Sequence, residues 1–257
     1  MQFSAPAEHY DRFMGRYVPT LAVALADAAE VASGMRVLDV GCGPGGLTAE
    51  LAARVGTEQV AAIDPAEQFA DACRARNPGA DVRVGVAEQL PWGDGEFDAA
   101  LASLVVAFMR DARVGVAEMA RVTRPGGVVA ACMWDVPGGG MTMLSAFWRA
   151  VRKVEPATEG EERRVGFHEG EIAELLTGAG LEDVRDGTLE TSAHYEGFDD
   201  FWQPFTFAVG PAGEHLRSMR PEQQDAVREH CRELLGDPAG PFDLSARAWY
   251  ARGTVPG

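Results

Sequence analysis

A chain of 257 residues with 23 basic and 39 acidic side chains carries a formal charge of −16. That argues against a broad electrostatic footprint on nucleic acid or an anionic membrane and favours a cationic or neutral ligand. The length suits one α/β domain with additions, and the four cysteines, Cys42, Cys73, Cys132 and Cys231, form no C-x-x-C pair and meet no histidine cluster, which leaves no metal site and makes a reduced cytoplasm the simplest setting.

Met1 to Arg16 has no apolar core of signal-peptide length, and no later run approaches the ~18 apolar residues of a bilayer span. The chain therefore reads as cytoplasmic, without membrane insertion. Residues 1 to 34 hold a dense aromatic and arginine stretch, Tyr10 to Tyr17, then a helical pattern through Leu21, Leu25 and Ala28. Such a leader would lie across the mouth of the following loop as ligand cover, or pack as a helix on the sheet edge.

Val37, Leu38 and Val40 form a short buried strand, and Leu47, Leu51 and Val55 recur at helical spacing after a glycine cluster. Glycines at 41, 43 and 46 permit a tight turn and close approach of a ligand. Gln59 to Ile63 reads as a second strand ending at Asp64, an acid ~20 residues past the loop, where nucleotide-binding α/β units accept hydrogen bonds from ribose hydroxyls; a helix begins near Glu67. Val82 to Val86 is a third strand, and the Gly, Asp and Pro content from Ala87 to Asp98 marks a loop. Phe97 to Ser103 is a fourth strand, Asp111 to Thr123 a helix, Arg124 to Gly127 a tight turn and Val128 to Trp134 a fifth strand. Repeated αβ steps imply a parallel, doubly wound sheet. Beyond it, Asp135 to Gly140 breaks the chain, Leu144 to Val154 reads as a helix, Glu155 to Arg164 is charged and irregular, Glu169 to Gly178 is a helix and Leu181 to Leu189 a strand. Gly197 to Pro241 is a mostly helical excursion, and Leu244 to Val255 is a last strand, antiparallel on the sheet.

The spacing Gly41-x-Gly43-x-x-Gly46 also satisfies the dinucleotide fingerprint, so Asp39 is the discriminating residue. A carboxylate two residues before the first glycine would repel a pyrophosphate by ~1 to 4 kcal/mol at contact distance. S-adenosylmethionine carries a sulfonium and an ammonium, which a carboxylate there would attract.

On Val37 to Gly45, Ile63-Asp64-Pro65, Ala87 to Trp92 with Glu96-Phe97-Asp98, and Arg124-Pro125-Gly126-Gly127, the chain resembles the class I S-adenosylmethionine-dependent methyltransferases, in particular the small-molecule group similar to the ubiquinone/menaquinone-biosynthesis C-methyltransferases. The resemblance implies an α/β, Rossmann-like seven-stranded sheet, mostly parallel with the last strand antiparallel, plus helical lid insertions. It implies one domain over 1–257, with the leader at 1–34 and insertions at 135–168 and 197–243. It further implies that the backbone of Gly41, Cys42 and Gly43 holds the methionine end of S-adenosyl-L-methionine (S-adenosyl-L-homocysteine as product) and that Asp39 supports its ammonium. Asp64 would bind the ribose, Pro65 flank the adenine, Ala87 and Glu88 lie at the adenine edge, and Ser103 and Leu104 face the methionyl group. Tyr10 belongs to the covering leader, and Arg16 is expected on the cofactor carboxylate. Two departures stand out: the acid that ends the third strand in the family is here Val86, and Val105 to Phe108 replaces a His or aromatic pair.

Methyl transfer from a sulfonium is an in-line displacement with a neutral leaving group, so a base is needed only for a poorly acidic acceptor. His9, Tyr10, His168, His194, Tyr195 and Asp135 are candidates, none singled out. The Asn/Asp-Pro-Pro-aromatic motif of nucleic-acid amino methylation is absent at Ser103 to Val106. Trp134, Phe147, Trp148, Phe198, Phe201, Trp202 and Phe205 suggest a partly apolar small-molecule substrate under a lid, or ordinary lid core. The sequence is compatible with a homodimer. The rival readings are an NAD(P)-dependent oxidoreductase, favoured by the glycine spacing alone, and a non-catalytic S-adenosylmethionine-binding protein.

Overall fold

The computed structural model describes residues 6–161 and 163–257; residues 1–5 of the expected leader and Glu162 of the charged stretch lie outside the described residues. Strand β1 (Val37–Val40) is buried along its whole length, as a central parallel strand with both faces covered must be. It pairs in parallel with β2 (Val60–Asp64) on one side and β4 (Phe97–Ser103) on the other. β3 (Asp81–Val84) extends the β2 side and β5 (Thr123–Trp134) the β4 side, both parallel. β7 (Phe242–Thr254) is antiparallel to β5, and β6 (Glu182–Tyr195) is antiparallel to β7, which gives the order β3-β2-β1-β4-β5-β7-β6. This is the expected seven-stranded, mostly parallel sheet with its last strand antiparallel.

The strand order reverses between β1 and β4, and in open α/β sheets a ligand crevice lies outside the carboxyl ends of the strands at such a point. Helices α3 (Gly46–Val55), α4 (Glu67–Arg76) and α5 (Ala112–Val122) connect the parallel strands. α5 starts where Asp111 accepts from the amides of Arg113 and Val114 (3.0 and 3.3 Å) and buries Val116, Met119 and Val122.

The leader folds as α1 (Ala7–Tyr10), a wide turn over Asp11–Gly15 and α2 (Val18–Ala28). It does more than cover a sheet edge. Val18 Cγ1 lies 2.4 Å from where a Gly46 Cβ would stand, so α2 seats directly on the start of α3. At its other flank Phe13 meets Phe205 edge to face, and the Tyr17 hydroxyl lies 2.9 Å from that of Tyr195.

The covering layer comprises α6 (Thr142–Val154), α8 (Phe198–Trp202), α9 (Gly210–Ser218) and α10 (Pro221–Leu234), with α7 (Glu171–Gly178) packed on the sheet side. Its centre is the stacked pair Phe147 and Phe205, ring centroids 4.5 Å apart, joined by Phe201. β6 runs six residues past the expected end at Leu189, because β7 offers a ladder through to the pair Tyr195 and Phe242. Leu189, Thr191, Ala193 and Tyr195 alternate inward, the period-2 signature of a half-buried strand.

Candidate functional site

Two adjoining cavities lie at the carboxyl ends of β1 and β4. The larger is about 490 Å³ and the smaller about 210 Å³, and they share walls at Tyr10, Gly41, Gly43, Ser103 and Leu104. Asp39, Cys42, Pro44 and Leu47 border the smaller; Asp64, Pro65, Val86, Ala87 and Glu88 border the larger. Eleven of the twelve residues expected at a cofactor site thus surround one continuous region.

Backbone conformation shapes the loop. Gly41 has φ +74°, and a Cβ there would stand 2.3 Å from Val105 Cγ2, so both torsion and packing demand glycine. At Gly43 (φ +52°) nothing among the described residues lies within 4 Å of a Cβ position, and the cavity begins there. Leu104, at the end of β4, also has positive φ, +61°, a strained conformation for a branched side chain.

The hydrogen bonding of the loop decides what it can receive. The amides of Gly41 and Cys42 both donate to Ile63 O (2.8 and 3.0 Å), and that of Gly43 donates to Asp64 Oδ2 (2.9 Å). Among the described residues nothing donates to the carbonyls of Gly41 and Gly43. A pyrophosphate needs free N–H donors at such a turn; this turn has turned them inward and retains acceptors.

Asp39 is 1% exposed. Its Oδ2 accepts from Thr48 Oγ1 (2.6 Å), while Oδ1 is buried with no hydrogen-bond partner among the described residues. Burial pushes its carboxyl up to about 8, against the pull of the Thr48 hydrogen bond. An unpaired buried carboxyl oxygen carries a desolvation cost that an incoming donor would relieve. Asp64 is held by two amides, Gly43 on Oδ2 and Ala66 on Oδ1 (2.8 Å), and burial raises its carboxyl too. Each oxygen keeps a further lone pair. Glu88 Oε1 accepts from the amides of Arg110 and Asp111 (2.6 and 3.1 Å), which fixes it at the wall. Val86 lines the same wall without an acid.

Arg16 borders neither cavity. Its guanidinium grips both oxygens of Asp200 (3.0 Å each), donates to His194 O (2.9 Å) and lies over the Tyr195 ring. It ties the leader to the covering layer, and the expected contact with a cofactor carboxylate has no support in this geometry. Asp135 likewise turns away, paired with Arg247 and accepting from the Gly138 amide. His168 pairs with Glu171, His194 with Asp243, and His9 stacks on Phe207. Tyr195 is buried against Tyr17 and Met143 Sδ. Of the candidate bases only Tyr10 reaches the cavity.

Of the seven aromatics suggested for a substrate pocket, only Trp134 lines it; the other six belong to the covering layer's core. The wall instead uses Phe13, Phe69, Phe108, Phe167 and the acid Glu161, none of which the sequence singled out. Phe13 and Phe108 lay within stretches already marked for other reasons; Glu161 sits in an irregular charged run that offered no period to read.

The methyltransferase-domain family model matches residues 38–131, the stretch that carries this loop and β1 to β5. An uncharacterized methyltransferase of Mycobacterium bovis is 36% identical over 127 residues, 49% of this chain and 49% of that protein; the chain thus spans about half the length of the first curated relatives it matches. A second M. bovis protein, itself uncharacterized, is 30% identical over 226 residues, 83% of this chain and 80% of that one. In fold, the chain is similar to the Haemonchus contortus phosphoethanolamine N-methyltransferase 2 solved with S-adenosylhomocysteine (TM-score 0.60, 15% identity, 98% of this chain and 57% of that one). Residues 38–131, which hold the glycine turn, the acid that ends β2 and the reversed strand order in one crevice, are thus a methyltransferase domain, in a fold shared with S-adenosylmethionine-dependent methyltransferases.

Proposed function

We propose that the protein transfers a methyl group from S-adenosylmethionine to a small, partly apolar acceptor. The observation that carries this reading is the pairing of an orphaned Asp39 Oδ1 with a glycine turn in which the amides of Gly41, Cys42 and Gly43 are used and, among the described residues, nothing donates to the carbonyls of Gly41 and Gly43. That combination suits an ammonium and disfavours the pyrophosphate of a nicotinamide dinucleotide. S-adenosylmethionine, when bound, supplies a methyl group activated by the positive charge on sulfur.

The chain's own residues do the remaining work. Asp39 and the carbonyls of Gly41 and Gly43 hold the amino-acid end. Asp64, oriented by two backbone amides, offers its remaining lone pairs to the ribose hydroxyls. Pro65, Ala87 and Glu88 border the adenine space, with Val86 leaving its recognition to backbone groups or Glu88. Ser103, Leu104 and Tyr10 stand where the two cavities meet and face the methionyl group. Because the leaving group is neutral, orientation can supply ~7 to 11 kcal/mol of the barrier, and the leader with the aromatic covering layer excludes water.

Calorimetric titration with S-adenosylmethionine, S-adenosylhomocysteine and NADH tests the reading. Binding of the first two without NADH is expected; selective NADH binding would overturn it.

A further inference from the structure

The part of the large cavity formed by the ends of β4 and β5, α6 and the leader is walled by Phe13, Phe108, Met133, Trp134 and Phe167. One acid interrupts this apolar surface. Glu161, in the loop between α6 and α7, is 5% exposed and lines the cavity. Its Oε1 accepts from Trp148 Nε1 (3.1 Å), and among the described residues nothing pairs with Oε2. The loop is braced by Arg164, whose guanidinium donates to Ala107 O (3.3 Å) and lies over the Phe108 ring. A carboxylate in a nearly buried residue, with one oxygen on an indole and the other free to take a donor from the cavity, is a ready hydrogen-bond acceptor, and the residues proposed to hold the cofactor do not use it.

We propose that Glu161 is the acceptor-binding residue, its free oxygen receiving a hydrogen bond from the O–H or N–H of a compact aromatic or largely apolar molecule that carries one such donor; this rests on the methyl-transfer reading above. Size and polarity agree, since Glu161 is set among rings and thioethers, with Tyr10 and Ser103 the hydroxyls on the cavity's lining among the described residues. Charge agrees as well. Asp64, Glu88 and Glu161 share the cavity, and Arg110 is the one cation on its wall among the described residues. An acceptor bearing a carboxylate or phosphate would meet repulsion from these three acids, with Arg110 alone set against it.

Burial pushes the Glu161 carboxyl up to about 7, while Trp148 and the neighbouring charge of Arg164 pull it down. Near neutral pH it can therefore accept a hydrogen bond in its ionised form. Trp148 makes this visible, because its indole N–H touches Glu161 directly. His215 lies against the Trp148 ring, centroids 5.4 Å apart, so a titration seen by this indole has two sources, which Glu161→Gln separates. Gln keeps an acceptor for Trp148 and removes only the charge.

The test uses the full chain saturated with S-adenosylhomocysteine and three probes of matched size: 4-ethylphenol, phenethylamine and phenylacetate. Wild-type protein is expected to bind the phenol, the amine or both, and phenylacetate at least roughly tenfold more weakly. E161Q is expected to lose roughly tenfold in affinity for the donor probes and to lose a tryptophan-fluorescence transition near neutral pH. Which donor probe binds distinguishes a hydroxyl from an amine acceptor. Failure of wild-type protein to bind S-adenosylhomocysteine would fall on the methyl-transfer reading; homocysteine-product binding by E161Q shows that the variant is folded. The proposal is overturned if no probe binds, if phenylacetate binds as well as the others, if E161Q binds the donors unchanged, or if the fluorescence transition survives in E161Q and so belongs to His215.

Discussion

Asp39→Asn is the perturbation that reads most directly on the site. In the folded chain burial pushes the Asp39 carboxyl up to about 8, whereas an unfolded aspartate titrates at ~3.9. A folded value raised above the unfolded one contributes stability that is fully present below pH ~4 and is lost as pH rises towards 8, at about 1.4 kcal/mol per pH unit. Asparagine carries no such titration and can still accept from Thr48. The stability of D39N relative to wild type should therefore rise by about 3 kcal/mol between pH 5 and pH 7.5. Urea denaturation at a series of pH values measures it. Glu161, also raised by burial, weakens both proteins alike and cancels in the difference, while Asp64, whose charge helps raise Asp39, keeps its own burial in both. The same residue couples to the ligand: an ammonium placed beside Oδ1 favours the ionised form, so binding of S-adenosylhomocysteine at neutral pH should release close to one proton. Calorimetry in buffers of different ionisation enthalpy counts it, and D39N should bind more weakly and release none. A stability difference flat in pH, or equal proton release by both proteins, would refute the account of Asp39 as a buried carboxyl awaiting a cation.

Three further outcomes follow from the geometry. Asp64→Ala should abolish cofactor binding in a calorimetric titration, whereas Val86→Asp, which restores an acid to the end of the third strand, should preserve or strengthen it; retained binding in D64A would remove the ribose assignment. Gly41→Ala forces an L residue to φ +74° and a Cβ onto Val105, so chemical denaturation should show a loss of about 3 kcal/mol, with Val105→Ala recovering only the steric part. Arg16→Ala should cost about 1 kcal/mol of stability, because its partner Asp200 is partly solvated, and adding Asp200→Ala should cost little more, since the two side chains share one interaction; an R16A variant that keeps full stability but loses cofactor affinity would restore the cofactor-carboxylate role to Arg16.

What the sequence made legible follows from how locally each feature is encoded. Val37, Leu38 and Val40 announce a central strand because a parallel strand covered on both faces must be apolar throughout. Asp39, Gly41 and Gly43 lie within one turn of chain, and Asp64 enters beside them through the β1–β2 ladder, so the spacing of a single αβ unit already brought together the residues proposed to hold the cofactor. β6 was partly legible: Leu189, Thr191, Ala193 and Tyr195 carry the two-residue period that the strand obeys, hidden by the polar residues between them.

The long-range contacts around the cavity had no such local code. Arg16 and its partner Asp200 are 184 positions apart, and no pattern near either residue reports the other. The aromatic run from Phe198 to Phe205 looks the same in sequence whether it walls a pocket or fills a core, because both require apolar surface removed from water; only the stack of Phe147 on Phe205 and the edge contact of Phe13 assign it to the core. Glu161 is the converse case, an acid among acids and arginines that is distinguished only by being buried. The residues proposed to hold the cofactor are thus written in contiguous motifs, and the wall proposed for the acceptor in long-range burial. A chain can keep the first while changing acceptors through a few scattered substitutions in the second, and the identity of the acceptor should accordingly respond to changes at Glu161, Phe108 and Phe167 that leave cofactor affinity untouched.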